Sequence, residues 1–277
     1  MGMRIATNMA SINAQRNMTT NSREMQKSMT QLATGSRITK AGDDAAGLAI
    51  SESLKSQIRS YSQATRNAND GISMISTAEQ SMGEVSNMVT RLRELGIQAG
   101  SDTIGEKERG FIQKEVDATK AEIQRVAVST TFGSRQLLDG TGGEYDIQVG
   151  SGADIKKDWI TYDSSVSNVT VGNLGLADID YTTKEGARAG LAALDIAQSQ
   201  VNGSRAQLGA LQNRLTSTVD VIANMSENMS AANSRMRDTD IAASTSDLAR
   251  NNILLQGTTA TLAQANQQPA MALKLIG

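Results

Sequence analysis

Between Leu194 and Met236 small and apolar residues recur in an unbroken 3-4 alternation. They are Leu194, Ala197, Val201, Ser204, Leu208, Leu211, Leu215, Thr218, Ile222, Met225, Met229, Ala232 and Met236. A stripe returning every 3.5 residues keeps one seam of a helix turned toward a partner helix, the mark of a coiled coil. At about 1.5 Å per residue such a helix runs roughly 65 Å, more than a compact domain needs. So long a seam requires a partner of similar length, and the first half of the chain supplies one. Leu54, Ile58, Tyr61, Thr65, Ala68, Ile72 and Ile75 step 4-3-4-3-4-3, and Met82, Val85, Val89, Leu92 and Leu95 carry the stripe on. A bundle of ordinary amphipathic helices is the plain alternative; the regularity of both seams favours the long pair.

Composition fits narrow seams better than a globular core. Of 277 residues one is Trp, four are Tyr and two are Phe, while 13 are Met. That palette suits helical contacts made by Ala, Leu, Ile, Val and Met. Net charge is −2 with both signs interspersed, so no basic field points to nucleic acid or an anionic membrane. There is no cysteine and no histidine, which removes disulfides, thiolate sites and imidazole chemistry. No lysine has Ser or Thr three residues before it, and neither a phosphate-binding P-loop nor a G-x-G-x-x-G turn occurs. The acidic pairs Asp43/Asp44 and Asp238/Asp240 sit at helix boundaries, where capping explains them better than metal binding. An enzyme is therefore not expected, nor is a cofactor or metal. Met1 to Asn21 is amphipathic rather than a continuous apolar run, so a cleaved signal peptide and membrane insertion are not expected either.

Taken in order, Ile5, Met9, Ile12, Met18, Met25, Met29 and Leu32 predict a first helix with a thin stripe, which needs a partner to be stable. Gly35 and Gly42 break the periodicity, and a carboxylate at 43 or 44 caps a second helix expected to run to about Leu95. Glu106 to Ser129 reads as a third helix. From Thr130 the composition turns to Gly and β-branched residues, predicting strands at Tyr145–Val149, Trp159–Tyr162 and Val166–Val171. The long seam helix follows. After an interruption at Arg237–Asp240 a last helical pattern passes Leu248, Leu254, Leu255 and Leu262, and Pro269 precedes an apolar tail with Leu273, Leu275 and Ile276. The expected fold is mainly α: long antiparallel coiled-coil helices forming a rod, paired terminal helices and a small β-hairpin insert. The domain split is 1–42 plus 237–277 for the terminal part and 43–236 for the rod, with the insert at about 130–186.

Several ordered strings resemble bacterial flagellin. They include Ile5-Ala6-Thr7-Asn8, Leu32-Ala33-Thr34-Gly35-Ser36-Arg37-Ile38 and Asp43-Asp44-Ala45-Ala46-Gly47-Leu48-Ala49-Ile50. Further matches are Ala64-Thr65-Arg66-Asn67-Ala68-Asn69-Asp70-Gly71-Ile72-Ser73, Gln136-Leu137-Leu138-Asp139-Gly140, Leu208-Gly209-Ala210-Leu211-Gln212-Asn213-Arg214 and Leu262-Ala263-Gln264-Ala265-Asn266-Gln267. The family's usual Phe-Asn-Gly turn stands here as Phe132-Gly133-Ser134, and the outer variable domains of larger flagellins are missing.

The resemblance implies an extracellular subunit that polymerises into the flagellar filament for swimming motility, exported by a type III apparatus with its chaperone. It implies contacts with further copies of itself and with filament cap and junction proteins. Ile5, Met9, Ile12, Leu32, Leu254, Leu262, Leu273, Leu275 and Ile276 are then the polymerisation residues. Leu54, Ile58, Ile72, Ile75, Leu208, Leu211, Leu215 and Ile222 form the rod seam. Arg91, Arg93, Glu94, Leu95 and Glu115 correspond to the patch read by a host Toll-like receptor. Two other readings are a hook–filament junction protein, which shares the terminal motifs, and a secreted coiled-coil adhesin that does not polymerise; seeded elongation separates the adhesin from a filament subunit.

Overall fold

The computed structural model describes the backbone of residues 7–276 and the side chains of residues 7–267. In chain order the elements are α1 (Met9–Thr34), α2 (Ala45–Ala99), α3 (Glu106–Ser129), β1 (Thr131–Phe132), β2 (Arg135–Gln136), β3 (Glu144–Gln148), the single turn α4 (Ile155–Asp158), β4 (Trp159–Asp163), α5 (Lys184–Arg237) and α6 (Ile241–Ile276). The contacts divide them into two units, Met1–Ser56 with Asn228–Gly277, and Gln57–Glu227. The divide falls inside α2 and α5, whereas the split expected from sequence lay at the ends of those helices.

In the first unit α1 packs on α6. Asn8 caps α1, its side chain accepting from the Ser11 N–H, and Gly35 ends the helix in the left-handed conformation at φ 67°. The chain then bonds back across the gap: Thr239 N–H donates to the Gly35 carbonyl (2.9 Å) and Arg37 N–H to the Arg237 carbonyl (2.6 Å). Of the paired carboxylates one caps a helix and the other ties the loop before it. Asp44 accepts from Gly47 N–H at the start of α2, while Asp43 gathers Lys40 N–H and the Thr39 N–H and hydroxyl. Those bonds, led by the Lys40 N–H, hold the Asp43 carboxyl below its ordinary range. Asp240 caps α6 through Ala242 and Ala243 N–H.

The second unit holds the main apolar core. Ile75, Met82, Val85, Val89, Leu92 and Leu95 of α2 are buried with Leu194, Ala197, Val201, Leu208, Leu215 and Ile222 of α5 and with Ile112, Val116 and Ile123 of α3. Polar bonds along the seam fix its direction: Arg93 pairs with Asp195, Gln198 donates to Ser86, Arg205 pairs with Glu79 and Gln212 donates to Ser76. As numbering falls along α2 it rises along α5, so the helices are antiparallel. On the α5 seam Leu194, Ala197, Val201, Leu208, Leu215 and Ile222 are buried and Ser204, Leu211 and Thr218 half-buried; Met225, the next position, is 45% exposed. Ile72 and Leu211 pack half-buried against the core, and Leu54 and Ile58 are half-buried. Helix α2 continues past Leu95 to Ala99 because Arg109 of α3, nearly buried, donates from Nε to the Ala99 carbonyl and from Nη2 to that of Ser101. A cation on the last carbonyls of a helix satisfies acceptors that have no partner of their own.

The insert departs from expectation in two places. β3 pairs with β4 as an antiparallel hairpin, Tyr145 opposite Tyr162 and Gln148 opposite Trp159. Val166–Val171, expected as a third strand, is not one. Ser164–Ser167 is a 3-10 turn capped by Asp163, and Asn168 Oδ1 accepts from both the Thr170 N–H and hydroxyl. Short polar side chains bonding to the chain just ahead of them compete with a strand ladder, and here they prevail. The second difference is a small hairpin that the expectation lacked, Phe132 opposite Arg135 around Gly133–Ser134. Gly133 takes φ 63°. With glycine first in a two-residue turn, the Gly-Ser order suits the hairpin's twist where Asn-Gly would use both positions.

The long string around Asn67 and Gly71 is where this insert docks. Asn67 Nδ2 donates to the Gln148 carbonyl at 3.1 Å. Gly71 is buried, and a Cβ there would lie 2.6 Å from Ile147 Cδ1.

Candidate assembly interface

On α1 the buried and half-buried positions are Ser11, Ala14, Met18, Asn21, Met25, Ser28 and Leu32, flanked by half-buried Ser22 and Gln31; on α6 they are Ser244, Leu248, Asn251, Leu255, Thr258, Leu262 and Ala265. Both sets alternate 3-4, so the terminal helices meet in a coiled-coil seam of their own. It is a poor seam, because more than half of its positions are Ser, Asn, Thr or Ala. Larger side chains meanwhile point outward: Met9 is 60% and Ile253 68% exposed, and Ile12, Met29, Ile241 and Leu254 are exposed as well. The pair thus leaves these six large apolar side chains uncovered on a mostly polar exterior, while its interior seam is partly polar.

This sorts the expected polymerisation residues. Leu32 and Leu262 belong to the internal seam. Met9, Ile12 and Leu254 lie on the outer surface, joined by Met29, Ile241 and Ile253, which sequence reasoning missed. Ile5 and the side chains of Leu273, Leu275 and Ile276 lie outside the described residues. Helix α6 itself passes through Pro269 to Ile276, so the apolar tail beyond the proline continues the helix.

In the second unit the structure brings together Arg91, Glu94 and Glu115. Arg91 donates from Nε and Nη2 to Glu115 Oε1 (3.0 and 2.8 Å) and from Nη1 to Glu94 Oε2 (3.0 Å). The Glu115 hydrogen bond is the main cause of a raised Arg91 pKa. Arg93 turns instead to Asp195 of α5, a partner not anticipated. Leu95 corrects the expected patch: at 1% exposure it is a core residue between the long helices and presents nothing to a partner in this conformation. Among the described residues no His, Cys, Asp or Glu cluster fits a metal ion, and no helix is long and apolar enough to cross a membrane.

The profile of the bacterial flagellin N-terminal helical region matches residues 5–142, and that of the C-terminal helical region matches residues 191–276. The flagellin of Halalkalibacterium halodurans is 41% identical over 274 residues, covering 99% of this chain and 100% of the relative. That of Bacillus subtilis is 37% identical with the same coverage of each chain. The crystal structure of Bacillus cereus flagellin aligns with a TM-score of 0.51 at 27% identity, covering 61% of this chain and 94% of that one. Both terminal regions and the full length of close relatives are thus accounted for. The chain belongs to the bacterial flagellin family and is a structural subunit of the extracellular flagellar filament, not an enzyme.

Proposed function

We propose that subunits join in the filament through the outer face of the α1–α6 pair, with Met9, Ile12, Met29, Ile241, Ile253 and Leu254 covered by neighbouring copies. The observation carrying this reading is the set of large apolar side chains left on the outer surface, beside a seam in which Ser, Asn, Thr and Ala alternate with Met and Leu. Burying the remainder of one Ile side chain is worth about 1–2 kcal/mol. Removing it and adding a charge would raise the critical concentration for assembly by at least roughly tenfold, since 1.4 kcal/mol is a factor of ten. Ile253→Asp is therefore expected to leave the helical content of the monomer unchanged and to suppress seeded elongation. Circular dichroism and sedimentation on the same samples check it; elongation at the parent's concentration would overturn the reading. The tail residues Leu273, Leu275 and Ile276, three apolar side chains within four positions, belong to the same proposed contact, a reading that family resemblance supports.

Family membership supports, as part of the same proposal, export through the flagellar apparatus with a chaperone and meetings with cap and junction proteins. The exposed Arg91, Arg93, Glu94 and Glu115 are the surface a Toll-like receptor would meet on the monomer, with Leu95 acting only as support beneath them. Monomer that signals equally well after Arg91→Ala would remove that assignment.

A further inference from the structure

The chain has a single proline, Pro269, and it lies inside α6. A helical N–H ordinarily bonds the carbonyl four residues earlier. A proline has no N–H to give, and its ring crowds that carbonyl. The acceptor left without its donor is the carbonyl of Ala265. It nonetheless has a partner: Asn8 Nδ2 donates to it at 2.7 Å. The other end of the same carboxamide, Oδ1, accepts from Ser11 N–H at 3.1 Å and caps α1. Only one orientation of the amide satisfies both neighbours, because one is a donor and the other an acceptor. Beside it Ser11 Oγ and Asn266 Oδ1 are 2.8 Å apart.

We propose that Asn8 and Pro269 form a register lock for the terminal helix pair. The seam alone does not define a unique register at this end. Met18, Met25 and Leu32 repeat every seven residues on α1, and Leu248, Leu255 and Leu262 repeat every seven on α6. A slip of one heptad therefore stacks large residue on large residue again, and uniform layers are what leave coiled coils free to choose among registers. A polar pair with one satisfying position removes that freedom. Pro269 marks the position by freeing one carbonyl of α6, and Asn8 reads it from the first turn of α1. The far end agrees: Ser36 bridges Asp238, 28 residues beyond Asn8 and 27 before Ala265. The lock is a positioning device. It acts by fixing where Met9 and Ile12, close by on α1, are presented, so it rests on the assembly reading above.

A double-mutant cycle on the full chain tests it, with Asn8→Ser, Pro269→Ala and both together. Serine keeps a capping oxygen for the Ser11 N–H but is too short to serve Ala265. Asn8→Ser is expected to raise the critical concentration for seeded elongation about tenfold, the equivalent of about 1.4 kcal/mol, and to speed amide exchange over residues 7–20 by a similar factor. In the Pro269→Ala background an alanine N–H serves Ala265 from within α6, and the same change should raise both by less than about threefold. Equal effects of Asn8→Ser in the two backgrounds would overturn the lock. Coupled exchange rates with elongation insensitive to every variant would keep the lock and refute the assembly reading instead. If Pro269→Ala does not elongate by itself, the exchange cycle still decides.

Discussion

Tyr181 has no exposed surface, and its hydroxyl donates to the Leu92 carbonyl at 3.1 Å, between the insert's last loop and the α2 seam. Burial pushes its pKa from 10.0 to about 12. A phenol whose folded pKa lies above its free value stabilises the fold while neutral. Its full contribution is present below pH 10 and is lost as pH rises toward about 12, because the unfolded chain releases the proton first. Two pKa units correspond to about 2–3 kcal/mol. Burial raises the pKa of Tyr162 as well, so the alkaline loss is shared. Tyr181→Phe should cost about 0.5–1.5 kcal/mol at neutral pH for the missing hydrogen bond. It should also flatten the fall in stability between pH 10 and 12, as read from urea midpoints across that range. An unchanged slope would show that Tyr181 ionises without leaving its site.

At the scale of elements, the docking of β3 on α2 depends on an absent side chain. Gly71→Ala would drive its Cβ into Ile147 Cδ1, and overpacking of this kind costs about 1–3 kcal/mol. Ile147→Val removes the clashing carbon, so Gly71→Ala should cost less in that background; denaturant melts of the four chains measure the difference. Equal costs in both backgrounds would mean that the backbone, not Ile147, sets the close approach. The long seams could be read from sequence because large aliphatic residues mark them at every turn. The role of Gly71 could not, since a missing Cβ carries no periodicity. The outer face of α1 was blurred for a different reason: Met9, Ile12 and Met29 are as apolar as Met18, Met25 and Leu32, and hydropathy alone does not say which set faces α6. The seam there announces itself through Ser11, Ala14, Asn21 and Ser28, which read as surface residues. Val166–Val171 failed as a strand because Asn168 and Asp163 bind the backbone locally, a preference that β-branched alternation conceals.

At the scale of the whole molecule, the two units draw on unequal cores. The buried cluster of large aliphatic residues belongs to residues 57–227, while the α1–α6 seam is half polar. Trp159, the one tryptophan of the chain, opens β4 opposite Gln148 and so sits in the unit with the large core. Indole emission therefore reports on that unit alone, whereas far-ultraviolet dichroism sums helices from both. Heating dilute monomer should melt helical signal in two steps, with the emission of Trp159 silent through the first and changing only in the second. A single coincident transition would mean that the terminal pair and the large core unfold as one. In the filament the first step should disappear from the dichroism while the emission midpoint moves little. One intrinsic fluorophore thus separates the unit that folds by itself from the unit whose stability comes from its neighbours, with no label added to the chain.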